Sequence, residues 1–236
     1  MDTIRLLLVE DDEALAYMLK GSLELMGNYQ IHTASNGVEG LSLYDEIHPD
    51  IIVSDVEMAE MSGFEMVKKI RETDAHTPII FASARKSPKD FIEGLHIGAD
   101  NFIRKPYLPE ELNIQILALL RRINDQHSKD TKNAKQYSFG NYLFDAELRI
   151  LQLNGSSESQ LHLTEREVNI LEILLTEKGN VVKRDKILVS LWGDNNFYTA
   201  RSLDVFMTKI RKYLHLDSSV EIQTIRGEGF RLIVRD

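Results

Sequence analysis

Leu6-Leu7-Leu8-Val9-Glu10-Asp11-Asp12 runs four apolar residues directly into three acids. The pattern repeats in kind three more times. Ile51-Ile52-Val53-Ser54 stops at Asp55, with Glu57 two residues on; Ile79-Ile80-Phe81-Ala82 stops at Ser83; Phe102-Ile103-Arg104 stops at Lys105-Pro106. Short apolar runs bounded by polar residues read as buried strands. Between them lie helical spacings, first Leu15, Met18, Leu19, Leu23 and Met26, then Phe64, Val67 and Ile70, Phe91 and Leu95, and Leu112, Ile116, Leu119 and Leu120. Strand and helix in alternation predict a parallel sheet covered by helices on both faces. Adding the run near 30–34 gives five strands within the first 122 residues, and the doubly wound order 2-1-3-4-5 suits that size. Such a sheet keeps its chemistry at the carboxyl ends of its strands, where the carboxylates, Ser83 and Lys105 fall.

The 236 residues are enough for two ordinary domains. There is no cysteine, which excludes disulfides, thiolate zinc sites and a cysteine nucleophile. The seven histidines are scattered without ligand spacing. The apolar runs are too short to span a membrane, and the N-terminus reads straight into a strand without a secretory segment, so a cytoplasmic protein is expected. Charge divides the chain. Residues 1–122 carry 21 acidic and 12 basic side chains, whereas residues 123–236 carry 16 of each. From Lys183 to Lys212 seven basic residues stand against three acidic ones. Two halves with different partners follow.

Asp125 to Lys135 holds one apolar residue, Ala134, and reads as an exposed, flexible linker. The expected organisation is a first domain over 1–122, a linker over 123–136 and a second domain over 137–236. Short strands return at Tyr142–Phe144, Ile150–Leu153 and Gln160–Leu163, with a turn at Asn154-Gly155. Thr164, with Glu167 three residues on, opens a helix as a capping box. A second helix spans Arg184 to Leu191 and a third Thr199 to Leu214. Two strands around Arg226-Gly227-Glu228-Gly229 close the chain. Three helices followed by a β-ribbon are an α+β winged helix-turn-helix pattern. Leu203, Met207, Ile210 and Leu214 form the third helix's buried stripe. Its outward set is then Arg201, Ser202, Val205, Thr208, Lys209 and Lys212, a mixture suited to a major groove, with Arg226 at the ribbon tip for the adjacent minor groove. Lys183, Arg184, Lys186 and Arg211 read as phosphate contacts or ordinary surface, and Trp192 as core.

Oxygen ligands from Glu10, Asp11 and Asp55, with the backbone carbonyl of Glu57, suit Mg2+. A carboxylate beside such an ion is the setting for an aspartyl phosphate. These motifs, with Gly98-Ala99-Asp100-Asn101-Phe102-Ile103-Arg104-Lys105-Pro106, make the first 122 residues resemble a response-regulator receiver domain of flavodoxin-like fold. Residues 137–236 resemble the OmpR/PhoB-type winged-helix effector through Leu163-Thr164-Glu165-Arg166-Glu167, Arg201-Ser202-Leu203-Asp204-Val205 and Thr224-Ile225-Arg226-Gly227-Glu228-Gly229-Phe230-Arg231. The resemblance implies that Asp55 is the phosphoacceptor, that Glu10 and Asp11 belong to the magnesium site, and that Ser83, Lys105 and Phe102 contact phosphate and switch. It implies a sensor histidine kinase, promoter half-sites on double-stranded DNA, a homodimer formed on phosphorylation, and RNA polymerase as partners, with no enzyme activity beyond Mg-dependent self-phosphorylation and slow autodephosphorylation. Position 206 would lie near DNA. The family's dimer face maps to Phe91, Asp100, Asn101, Glu111, Gln115 and Arg122.

The chain departs from the family pattern where Phe102 replaces tyrosine and where Phe91, Asn101 and Gln115 replace charged residues. A dimer with more apolar and amide contact and less salt sensitivity is expected. Glu57 and Arg85 are expected to pair across the mouth of the site. Two other readings are a phosphorylation-independent DNA-binding regulator whose receiver is a dimerisation module, and a phosphohydrolase using Asp55 with Glu57 as its acid–base partner.

Overall fold

The structure is a computed structural model describing residues 3–84, 88–129, 136–154, 160–193, 195 and 197–235. The chain divides into two compact units, Met1–Asn124 and Asp125–Asp236.

In the first unit β1 (Ile4–Val9), α1 (Glu13–Met26), β2 (Tyr29–Ala34), α2 (Gly37–Ile47), β3 (Ile51–Asp55), α3 (Gly63–Thr73), β4 (Ile79–Ser83), α4 (Pro88–Ile97), β5 (Asn101–Arg104) and α5 (Pro109–Lys129) alternate as expected. The five strands are parallel in the order β2-β1-β3-β4-β5. Helices cover both faces, so the inner strands β1, β3 and β4 are buried along most or all of their length rather than alternating, whereas the edge strands β2 and β5 keep some residues toward solvent. Leu6, Leu8, Ile80, Ala82 and Ile103 pack with Leu19, Leu23, Leu112 and Ile116. Leu7, Val9, Ile52, Ile79 and Phe81, the alternate residues, are equally buried. Each buried Leu, Ile, Val or Phe among these contributes roughly 1.5–3 kcal/mol.

Two sequence expectations change. On α1 the buried stripe is Ala16, Leu19 and Leu23, while Met18 and Met26 are exposed at 42% and 38%. And α5 continues through Lys129, so the polar stretch read as linker from 123 begins as helix. Its polar composition excludes burial, but it does not exclude helix, since Gln and Lys are good helix formers. Residues 130–135 lie outside the described set.

Two devices position the strand ends. Gly63 opens α3 directly beneath the β3 end, where a Cβ would lie 2.0 Å from the Asp55 carbonyl oxygen. No other residue permits that approach. Arg71, near the end of α3, donates to the carbonyls of Gly98 (3.0 Å), Asp74 (2.9 Å) and Thr77 (2.8 Å) and lies 3.5 Å from Asp100. Asp100 in turn accepts from the Ile79 N–H at 2.9 Å. One largely buried guanidinium, 9% exposed, thus ties α3 to the starts of β4 and β5.

The second unit opens with a four-stranded antiparallel sheet, β6 (Gln136–Phe139), β7 (Tyr142–Asp145), β8 (Ile150–Leu153) and β9 (Gln160–His162). The expected turn at Gly155 lies outside the described residues. Then come α6 (Glu165–Thr176), β10 (Val182–Lys183), α7 (Arg184–Trp192), α8 (Phe197–Leu214), β11 (Val220–Ile225) and β12 (Gly229–Val234), the last two strands pairing antiparallel with β10 on the outer side of β12. This is a winged-helix domain, with Gly227 at positive φ in the wing turn. Trp192 is core, as expected, packing 6.1 Å from Phe206 and beneath the Arg166 guanidinium at 4.6 Å.

Truncating Arg71 strands three carbonyls and a buried carboxylate. Arg71→Ala is expected to lower unfolding stability by about 3 kcal/mol, read from the urea midpoint of the wild-type and variant chains.

Candidate functional site

The carboxyl ends of β1, β3 and β5 meet at one cation. Lys105 Nζ lies 2.7 and 2.6 Å from the two carboxylate oxygens of Glu10 and 2.5 Å from Asp55 Oδ2. Glu10 is 3% exposed and Asp55 9%. The other Asp55 oxygen accepts from the Val56 and Glu57 N–H groups at 2.5 and 3.2 Å. One oxygen is therefore oriented by the chain just past β3, and the other by the lysine that follows β5. Burial pushes the Glu10 carboxyl above its ordinary range, against the hydrogen bonds and charge of Lys105. Burial alone would lower Lys105, but its hydrogen bonds to Asp55 and Glu10, with their charges, outweigh it and hold the ammonium above its usual value.

Asp11 is exposed and completes the acidic set, since carboxylate oxygens of Glu10, Asp11 and Asp55 come within 4.8 Å of one another. Receiver domains bind Mg2+ at such an acidic pocket, and three hard anionic oxygens fit that ion. Asp12 stands apart as the N-cap of α1, its side chain accepting from the Leu15 N–H at 3.0 Å. Glu57 is exposed; Arg85, its expected partner, lies outside the described residues. Ser83 is fully buried at the β4 end, and its carbonyl accepts from the Lys105 N–H at 2.9 Å. Sequence reasoning missed Tyr107, two residues past Lys105, whose buried hydroxyl is pushed up by burial and then by the charges of Glu10 and Asp55. An aromatic after Lys-Pro carried no signal of that proximity.

Behind the site Phe102 is held among rings, 6.2 Å from Phe81 and 5.2 Å edge-on from Phe91. Phe81 continues to Phe64 at 5.0 Å. Several residues expected on a dimer surface thereby turn inward. Phe91 is 6% exposed against Phe102, and Asp100 is 1% exposed against Arg71. Asn101 donates its amide to Gln115 Oε1 at 2.6 Å within the same chain. Glu111 is exposed, Gln115 is half-buried, and the Arg122 side chain is outside the described set. The Phe102 ring and the Arg71 guanidinium, neither visible in a one-dimensional pattern, decide this inward turn.

In the winged-helix domain α8 is buried over a wider face than the predicted stripe. Ser202 at 1% and Val205 at 6% join Leu203, Phe206, Met207 and Ile210 inside, so Ser202 and Val205 are not outward, and Phe206 is core rather than a surface group. The helix is wedged against α6, α7 and β11, which leaves a narrow stripe to solvent. Asp204, Thr208 and Lys212 are exposed there, with Arg201 and Arg211 half-buried at its edges. Lys209, predicted outward, is 11% exposed and bound 2.5 Å from Glu167 of α6. Arg226 and Glu228 are exposed at the wing tip. Arg184 pairs with Asp204 at 2.7 Å, Lys186 with Glu177 at 2.8 Å, and Arg211 donates to Thr224 Oγ1 at 2.6 Å.

An acidic site at the strand ends of a 2-1-3-4-5 sheet, followed by a winged helix, defines a response regulator with a DNA-binding output domain. Residues 6–117 match the response regulator receiver domain and residues 158–232 the transcriptional regulatory protein, C-terminal, family. The chain belongs to the OmpR/PhoB-type response regulators. Among its relatives are the transcriptional regulatory protein RprY of Bacteroides fragilis, 37% identical over 98% of this chain and 95% of that one. The alkaline phosphatase synthesis transcriptional regulatory protein PhoP of Bacillus subtilis is 32% identical over 97% and 96%. Among solved structures, a mutant of RitR superposes with a TM-score of 0.76 at 25% identity, covering 99% of this chain and all of that one. DrrB, a Thermotoga maritima OmpR/PhoB homologue, gives 0.51 at 28% over 98% and 100%. The chain is accordingly a two-component response regulator whose DNA-binding domain regulates transcription, not a classical enzyme. Among the described residues no helix is long and apolar enough to cross a membrane.

Magnesium at ten times its dissociation constant is expected to stabilise the fold by about 1.4 kcal/mol, seen as a raised thermal midpoint. Asp11→Asn, at an exposed position, removes most of that rise; an unchanged rise would place the ion elsewhere.

Proposed function

We propose that Asp55 accepts a phosphoryl group from a phosphohistidine of a sensor histidine kinase, and that the aspartyl phosphate drives dimerisation and DNA binding. The observation that carries this reading is the convergence of Asp55, Glu10 and Lys105 from three strand ends, with Asp55 Oδ2 on the lysine ammonium. In the transfer an Asp55 carboxylate oxygen forms the new O–P bond as the P–N bond to the kinase histidine breaks. The departing imidazole nitrogen keeps the electron pair. Lys105 is placed to follow the charge from the carboxylate to a phosphoryl oxygen, and Ser83 to donate its hydroxyl to another. Mg2+, held by Glu10, Asp11, Asp55 and the Glu57 carbonyl, supplies charge neutralisation when bound. Catalysis is positioning and electrostatics, which suits a regulator that turns over slowly.

Drawing Ser83 toward phosphate shifts the β4 end against the Phe81–Phe102–Phe91 rings. The dimer then forms on the face of α4, β5 and α5. Because Asp100 and Asn101 are engaged within the chain and Phe91 is turned inward, Glu111 and Arg122 are the charges that remain for that face, and few ion pairs are open to screening by salt. Paired receivers bring two winged helices onto adjacent half-sites and raise their effective concentration. Arg201, Thr208 and Lys212 of α8 face the major groove, Arg226 enters the minor groove, and the DNA-bound dimer contacts RNA polymerase in the cytoplasm.

The aromatic packing of Phe102 favours a second reading, a receiver that dimerises without phosphorylation. Beryllofluoride, which mimics the phosphoryl group, separates the two. It is expected to shift wild-type protein to dimer in sedimentation and to raise affinity for a duplex selected from a random pool by about 10²-fold. The dimer should persist at high salt. Asp55→Asn abolishes the response. Equal dimerisation and DNA binding by both proteins would establish the second reading.

A further inference from the structure

Glu167 is read from sequence as one half of a helix cap, and it fulfils that part by accepting from the Thr164 N–H at 2.9 Å. Its other oxygen does something the cap does not require. It accepts from the Tyr213 hydroxyl at 3.1 Å and lies 2.5 Å from Lys209 Nζ. Lys209 and Tyr213 are one helical turn apart on α8. A single carboxylate, 2% exposed on its side chain, therefore grips the DNA-reading helix at two successive turns from the first turn of α6. The Lys209 ammonium is also 5.6 Å from the Phe206 ring and only 11% exposed. Burial, then the Glu167 charge and hydrogen bond, raise the Tyr213 hydroxyl well above its usual range, so it stays protonated and donating.

We propose that Glu167 is a positioning residue for DNA recognition, and that Lys209 is its internal counter-ion rather than a phosphate contact. The inference rests on the reading of α8 as the DNA-facing helix and deepens it. The exposed face of α8 runs through Thr208 and Lys212, with Arg201 at its edge, and these positions are rotated about 60–100° around the helix from Lys209. Leaving that grip would cost Lys209 a buried, charge-assisted hydrogen bond and leave the Glu167 carboxylate unpaired in a dry setting. A solvated phosphate offers no better partner. The carboxylate thus fixes the rotation and register of α8 relative to α6 while withholding one cation from the DNA. Sequence alone counts Lys209 among the cations that bind DNA; the structure subtracts it.

The count of cations on phosphate is measurable, because log Kobs falls against log salt with a slope of about −0.9 per phosphate neutralised. The probe is a duplex selected by the wild-type chain from a random-sequence pool, and the full chain is titrated at a series of salt concentrations. Lys209→Gln is expected to keep the wild-type slope. Glu167→Gln, which retains an acceptor for the Thr164 N–H but no charge, releases Lys209 and steepens the slope by up to about 0.9. The double variant Glu167→Gln with Lys209→Gln restores the wild-type slope. It also replaces a buried ion pair by an amide pair, so it answers the question even where Lys209→Gln alone fails to fold. A slope shallower by about 0.9 in Lys209→Gln, or in the double variant, overturns the proposal by showing Lys209 on DNA. Lys212→Gln and Arg226→Gln test the underlying reading separately: each should make the slope shallower, and if neither does, the assigned DNA face is wrong whatever Lys209 shows.

Discussion

A single lysine ammonium holds together the end of the first domain that does chemistry. Glu10 and Asp55 lie at the ends of neighbouring strands, with carboxylate oxygens within 4.8 Å. At an effective dielectric of 20, two like charges at that separation repel by about 3 kcal/mol. Lys105 answers both at hydrogen-bonding distance. The balance is close by construction. Burial favours a neutral Glu10, and the lysine favours an ionised one. A site in which charges are matched one short of completion responds strongly to an added ion or phosphoryl group, which is what a receiver requires.

The same constraint explains the supporting structure. Asp55 has to present one oxygen outward while the other is held by backbone N–H groups, so the chain after β3 turns tightly and α3 starts on a glycine that nothing larger replaces. Lys105 has to arrive from β5, whose start is fixed by Asp100, Gly98 and Arg71. Charges that a surface reading assigns to a dimer partner are used here inside the domain. In the winged helix the equivalent reassignment is Lys209, drawn inward by Glu167. In both domains a buried ion pair sets the orientation of a functional element and removes a charge from the surface.

Much of this was legible in the residues. The strand ends and their polar closures predicted the sheet, its order and the clustering of Glu10, Asp11, Asp55 and Lys105, because an apolar run that stops at a charge can only stop where the sheet does. The three helices and the ribbon were legible for the same reason. What was not legible depended on width and depth. A helix wedged between two others buries more than one stripe, which moved Ser202, Val205 and Phe206 inside. Periodicity cannot tell whether a lysine beside the stripe faces water or a carboxylate from another helix. Polar composition excluded burial after residue 122 but said nothing against helix, and α5 runs on to Lys129. The inward turn of Phe91 and Asp100 required knowing that Phe102 and Arg71 wait for them.

We propose this cluster of carboxylates around one ammonium as the chain's phosphoryl input. That role is tested most directly by treating the full chain with acetyl phosphate and magnesium, reducing the acyl phosphate with borohydride, and locating the resulting homoserine by peptide mass spectrometry. Homoserine is expected at position 55 alone, and is lost when magnesium is chelated. Modification at Asp11 or Asp12, or none at all in folded protein, would contradict it.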